Sequence, residues 1–212
     1  MSERILVLGC PGSGKSTLAG QVERACGLPL VHLDDVYWGP GWERPSASEW
    51  IRRQERMAAR PRWIIDGNYL PTVPVRAARA DLVVVLDTST PRCLVRVVRR
   101  ALGIRAGDLS ALPAAVREGA GDRVEATGDF PALLRKILRF RTRDFWSLLR
   151  DSGAAVGAGP DVPVFVVVQG GRRGLRLARA VRGLSRRSLT AHVLDAATAR
   201  TILASHPGAT SS

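Results

Sequence analysis

Apolar residues gather in five short runs along the chain, and between the runs the pattern changes to helical spacing. Arg4–Leu8 (RILVL) is continuous, as a strand buried on both faces requires. Leu30–Leu33, Trp63–Ile65, Leu82–Leu86 and Pro163–Val168 read as further strands. Ser16–Cys26 places Leu18, Ala19, Val22, Ala25 and Cys26 on one helical face, and Gly27 stops it. Ser46-Ala-Ser-Glu49 is a capping box; Trp50, Ile51, Met57 and Ala58 form the face of the helix it opens, and Pro61 closes it. Thr90-Pro91 starts a helix with proline at its first position, ending near Gly103. Phe130–Arg150 reads as one long, arginine-rich amphipathic helix. Ser152–Pro160 is a Gly/Ala-rich connection, and a last helix covers about 174–182. Gly183–Ser212 is polar and expected to fray. Strands alternating with helices predict an α/β fold: a five-stranded parallel sheet with helices on both faces. The organisation expected is one domain over 1–183 with a flexible extension over 184–212, and no internal repeat is visible.

Composition narrows the class. The 212 residues are 45% hydrophobic and 24% charged, which suits one ordinary domain with its own core. The apolar runs are far too short to span a bilayer, and MSERILVLG lacks the apolar core of a signal peptide. The expectation is a cytoplasmic protein with no membrane partner. Cys10, Cys26 and Cys93 have no metal spacing and suggest no disulfide frame. The net charge of +13 is lopsided: residues 1–90 carry +1 and residues 91–212 carry +12. All basic residues except Lys15 and Lys136 are arginine, whose fork suits phosphate, although codon bias explains the excess equally well. A basic half keeps nucleic acid open as a partner.

Candidate chemistry begins directly after the first run. Gly9-Cys-Pro-Gly-Ser-Gly14-Lys15-Ser16 fits G-x-x-x-x-G-K-[ST], with the required strand before it and helix after it. Gly9, Pro11, Gly12, Ser13, Gly14 and Thr17 would form the nucleotide-binding loop, whose glycines let backbone N–H groups turn inward around the phosphates. Lys15 would reach the β/γ oxygens and Ser16 would ligate Mg²⁺. The helix adds its positive dipole end. No guanine-reading N-K-x-D is present, which favours ATP over GTP. Such a site also needs an acid for the metal shell at the end of a nearby strand. Asp66 (WIID) and Asp87 (VVVLD) both qualify. Asp66 is preferred because Gly67-Asn68-Tyr69 runs on into a loop able to face a ligand, whereas Asp87 also reads as a helix-entry residue.

GCPGSGKSTLA, HLDDVYWGPGW, WIIDGNY and RADLVVVLD, in this order and spacing, resemble the adenylate-kinase-related proteins called DNA topology modulation proteins. The likeness covers residues 4–103 and extends more loosely to about 180. It implies a three-layer P-loop NTPase fold of nucleoside-kinase type, with an acceptor-binding segment at 34–60 and a helical lid at 103–129. It also implies an ATP-dependent phosphotransferase, with a nucleotide-responsive ATPase or a nucleic-acid-binding protein as the alternative. Asp66-Gly67 resembles the Asp-Gly after the third strand of adenylate kinases. Asn68-Tyr69 departs from their pattern and argues against a plain AMP acceptor. Arg96 and Arg100 resemble the arginine pair at their lid entrance, which implies contact with the nucleotide base and with phosphates, respectively.

The decade LDDVYWGPGW (33–42) then acquires a reading. Asp34, at the end of the second strand, is the expected base or ligand for an acceptor hydroxyl. Asp35 shares that task or caps a turn. Tyr37, Trp38 and Trp42 either wall the acceptor with flat surfaces or simply pack the loop onto the domain. Arg44 and Arg76 would hold an anionic group on the acceptor, with Asn68 nearby, or else are surface arginines. Arg135, Arg139 and Arg143 recur at i, i+4, i+8 and suit phosphates of either kind, or solvent. His32, His192 and His206 form no cluster and receive no chemistry.

Overall fold

A computed structural model describes residues 3–118, 130–145, 147, 164–168 and 191–194. The strands described are β1 (Arg4–Gly9), β2 (Leu30–His32), β3 (Trp63–Asp66), β4 (Leu82–Asp87), β5 (Val164–Val168) and β6 (Ala191–Leu194). They form one sheet in the order β2-β3-β1-β4-β5-β6, and every neighbouring pair is parallel. The five-stranded expectation therefore falls one strand short. Ala191–Leu194 lies in the segment expected to fray, yet it pairs with β5 at the sheet edge. Four residues are too few to announce a strand by periodicity; what makes them one is the free edge of β5.

The alternation of side chains along β1 separates two cores. Leu6 and Leu8 join Ile65, Val83 and Val85 on one face, under Trp50, Met57, Val73, Val97, Ile137 and Phe140. Ile5 and Val7 join Ile64, Val84 and Leu86 on the other, under Leu18, Ala19 and Val22. Helices thus cover both faces, as a parallel sheet requires. The second face belongs to α1 (Lys15–Cys26). The first belongs to α3 (Ala47–Ala58), α4 (Val73–Ala77), α5 (Thr90–Arg105) and α7 (Phe130–Arg139), with α2 (Leu33–Tyr37) and α6 (Ala114–Glu118) as short additions.

Local signals hold where they were strongest. Ser46 Oγ accepts the Glu49 N–H at 3.2 Å, so the N-cap half of the expected box forms, while the Glu49 carboxylate pairs with Arg53. Gly27 ends α1 in the left-handed conformation. Two expectations change. The second strand stops at His32, and Asp34 and Asp35 fall in the first turn of α2 rather than on a loop. The long helix from Phe130 is α-helical only to Arg139; Phe140–Asp144 forms a π-helical turn that tucks Phe140 and Phe145 inward. The connection at 152–160 and the helix at 174–182 lie outside the described residues, as does all of the expected 103–129 lid beyond Glu118.

Candidate functional site

The register aligns Val7 with Asp66 and Gly9 with Leu86. The glycine loop consequently leaves β1 between the carboxyl ends of β3 and β4, where open parallel sheets form their crevices. The loop needs glycine for space as well as for φ. At Gly12 (φ 78°) a Cβ would sit 2.5 Å from the Cys93 carbonyl oxygen of α5. The loop is braced from outside: Thr88 Oγ1 donates to Ser13 O at 2.9 Å, and Arg96 donates to Gly12 O and Ser13 O at 3.2 and 3.0 Å. Asn68 receives the Gly9 N–H at 3.0 Å and donates back to Gly9 O at 2.7 Å. Lys15 Nζ donates to Cys10 O at 3.3 Å, folded over the loop.

These contacts revise several assignments. Pro11, Gly12, Gly14, Lys15, Ser16 and Thr17 line the cleft, but Gly9 and Ser13 lie behind it. The Ser13 N–H is already given to Cys10 O at 2.9 Å. Asn68 lines the cleft while its amide is committed to Gly9. Arg96, expected against a base, clamps loop carbonyls instead.

Ser16 Oγ donates to Asp66 Oδ2 at 2.7 Å, and His32 Nδ1 lies 3.0 Å from the same oxygen. The other oxygen, Oδ1, is buried with no partner among the described residues. Burial alone would raise the Asp66 pKa. The His32 hydrogen bond, the Lys15 charge and the Ser16 hydroxyl outweigh it and hold the carboxyl below its ordinary value. The bond to Asp66 correspondingly raises His32. His32 received no role in the sequence; the signal that finds it is its register with Asp66 across β2 and β3. Asp87, the rival acid, is closed off. Arg141 grips both its oxygens from the π-helical turn.

In the same cleft, Asp34 accepts the Tyr69 hydroxyl at 2.8 Å. Burial, together with the Asp34 charge, raises the Tyr69 pKa, so the phenol stays protonated and donating. Tyr69 sits in the left-handed region at φ 42°, a strained position for an aromatic residue. Tyr37 packs on Tyr69 and on buried Trp50 at ring distances of 4.6 and 4.8 Å. Trp38 meets Trp42 edge-on at 5.1 Å. Both indoles pack with Ile104, Leu109, Leu112 and Val116. The two aromatic readings therefore divide: Tyr37 anchors the segment to the core, while Trp38 and Trp42 face the cleft and also meet the 104–116 region. Asp35 Oδ1 accepts the Ala114 N–H at 3.1 Å, another tie between the two segments.

Arg76 is where the structure overturns the sequence reading most plainly. It is fully buried, with no path to an acceptor. Its guanidinium donates to Gly67 O at 2.7 Å and to Asn68 O, holding the loop that carries Tyr69. Burial pushes its pKa down to about 9, still charged at neutral pH. Gly67 beneath it is obligatory: φ is 141° and a Cβ would sit 2.8 Å from Leu33 Cβ.

Asp34, Asp35, Tyr37, Trp38, Trp42, Arg44, Asp66, Arg96 and Arg100 do meet in one cleft of about 1130 Å³ with the glycine loop. Arg117 and Lys136, which sequence reasoning did not place there, line it too. Arg135, Arg139 and Arg143 instead line a separate hollow of about 320 Å³, which Lys136 also borders. No helix among the described residues is long and apolar enough to cross a membrane. No family model and no curated protein matches the chain.

Proposed function

We propose that the chain is a cytoplasmic P-loop phosphotransferase of the nucleoside-kinase type, which uses MgATP to phosphorylate a small acceptor. The observation that carries this reading is the Ser16–Asp66 contact at the head of α1, beside a loop whose glycines allow its positive φ angles and its close packing on β4 and α5. The residues fit a magnesium ion. Asp66 lines the cleft, its Oδ1 is a buried acceptor with no partner among the described residues, and its depressed pKa keeps the carboxyl ionised. Magnesium bound there would neutralise charge on the transferring phosphates.

In this reading Lys15 leaves Cys10 O to pair with the β/γ oxygens, and Arg100 shares the charge that develops on them. Asp34 takes the proton of an acceptor hydroxyl, held in place by Tyr69. Trp38 and Trp42 shield the reacting groups from water. A nucleotide-responsive protein that binds nucleic acid is the second reading, and the basic hollow around Arg139 and Arg143 favours it.

Calorimetry tests the first reading. Wild type should bind ATP with an affinity that depends on magnesium, and Lys15→Ala should lose most of it; equal, magnesium-independent affinities would overturn the assignment. Under the second reading the chain also binds duplex DNA, with an affinity that falls steeply as salt rises.

A further inference from the structure

His32 ends β2, and the register of β2 on β3 sets it opposite Asp66. Its imidazole lines the cleft and is 36% exposed, whereas the Asp66 side chain is 4% exposed. Nδ1 lies 3.0 Å from Asp66 Oδ2, the same oxygen that accepts the Ser16 hydroxyl at 2.7 Å. An ionised carboxylate only accepts, so Nδ1 carries the hydrogen in this contact. Donors from two elements, β2 and the head of α1, thus converge on one oxygen of a buried acid. Oδ1 has no partner among the described residues. The two donors are not alike. Ser16 is itself a candidate ligand for magnesium, and its hydroxyl turns about a single bond. His32 stands on the sheet and has no other part in the phosphotransfer reading.

We infer that His32 is a positioning residue for magnesium: its Nδ1–H holds the Asp66 carboxylate in the orientation in which Asp66 and Ser16 bind the ion together. The inference rests on the MgATP reading and adds a residue to it. An aspartate carboxylate turns about two side-chain bonds, and one hydrogen bond from a rotating hydroxyl leaves that turning open. A second donor, fixed to a neighbouring strand, closes it. Partners that hold a ligating carboxylate are typically worth about 10–100-fold in metal affinity. The competing role is that His32 only satisfies a buried acid, whose desolvation is costly without donors. The two roles part at one point. A stabilising bond shows in the melting temperature alone, whereas an orienting bond shows in how far magnesium strengthens ATP binding.

Substitutions at His32 separate these roles through the place of the donor. Asparagine puts an amide N–H directly after Cγ, where Nδ1 stands. Glutamine puts it one bond further out, and leucine offers no donor. Calorimetry on the full chain measures ATP affinity with magnesium and with EDTA, and thermal melting is read on the same preparations. In wild type, magnesium should strengthen ATP binding. His32→Leu should cut that enhancement by about 10–100-fold and leave the affinity in EDTA unchanged. His32→Gln should behave as His32→Leu does. His32→Asn should keep most of the enhancement, even where it melts below wild type. An enhancement that survives in His32→Leu, or that is lost equally in His32→Asn and His32→Gln, would overturn the inference. Where His32→Leu does not fold, the asparagine and glutamine variants decide alone. Wild-type ATP binding that ignores magnesium removes the phosphotransfer reading and this inference with it. A magnesium-dependent wild type with variants that differ only in melting removes the role of His32 and leaves that reading standing.

Discussion

Asp66 and Asp87 end the two strands that flank β1, and both are 4% exposed. On the β3 side the carboxylate meets a hydroxyl and an imidazole on one oxygen and keeps the other buried, with no partner among the described residues. On the β4 side Arg141 engages both oxygens of Asp87. Equivalent positions in a sheet thus hold one carboxylate with an oxygen left without a partner among the described residues and one whose two oxygens are both taken by an arginine. The difference comes from what each loop brings back: Gly67-Asn68-Tyr69 stays on the cleft, whereas the π-helical turn of Phe140–Asp144 folds a cation onto Asp87.

Substituting each acid separates the roles. Asp66→Asn should give the largest functional effect, a loss of about 10–100-fold in magnesium-dependent ATP affinity, with little change in the affinity measured without magnesium. Asp87→Asn should leave both affinities unaltered and lower stability by about 1–3 kcal/mol, because a bidentate ion pair becomes a single bond from the charged guanidinium to a neutral amide oxygen. Thermal melting should register this as a drop of about 2–4 °C for each kcal/mol. The reverse pattern, magnesium dependence lost in Asp87→Asn and only melting changed in Asp66→Asn, would break the comparison.

A third carboxylate at the far end of the sheet supplies the smallest effect. Asp81 accepts the Glu3 and Arg4 N–H groups at 2.9 and 3.0 Å and pairs with the Arg4 guanidinium at 2.7 Å. Burial would raise its pKa, but the Arg4 and Glu3 hydrogen bonds win and depress it. A depressed folded-state pKa means that its stabilisation is present above the ordinary value near 3.8 and is lost as pH falls through the lower folded value. Arg4 is 36% exposed, so solvent screening limits the gain to under about 1 kcal/mol. Asp81→Asn should therefore melt slightly below wild type at pH 7, with the gap closing below about pH 4. A constant gap across that range would mean the effect is not ionic.

The strands β1 to β4, the helix after the glycine loop and the Ser46 cap were legible because each rests on residues a few positions apart. Periodicity, a turn and a cap are local, and a continuous apolar run needs no partner to be recognised. The preference for Asp66 over Asp87 was drawn from Gly67-Asn68-Tyr69, whereas the group that engages Asp87 lies 54 residues away from it, in Arg141. Arg76 misled because an arginine four residues after a proline-rich turn carries no mark of burial; only the loop wrapped around it gives the guanidinium its carbonyls.

The chain alone therefore dictates an α/β parallel sheet and a glycine loop between its first strand and helix, since hydrophobic period and glycine spacing act within a few residues. Folding decides which polar groups are left available. Hydrogen bonds and ion pairs form between whichever groups packing brings within about 3 Å. Asp35 reaches Ala114 across 79 residues, Thr88 reaches Ser13 across 75, and Tyr69 reaches Asp34 across 35. None of these separations leaves a pattern in the sequence, because the register of a parallel sheet brings them together, and that register is settled only when both cores close.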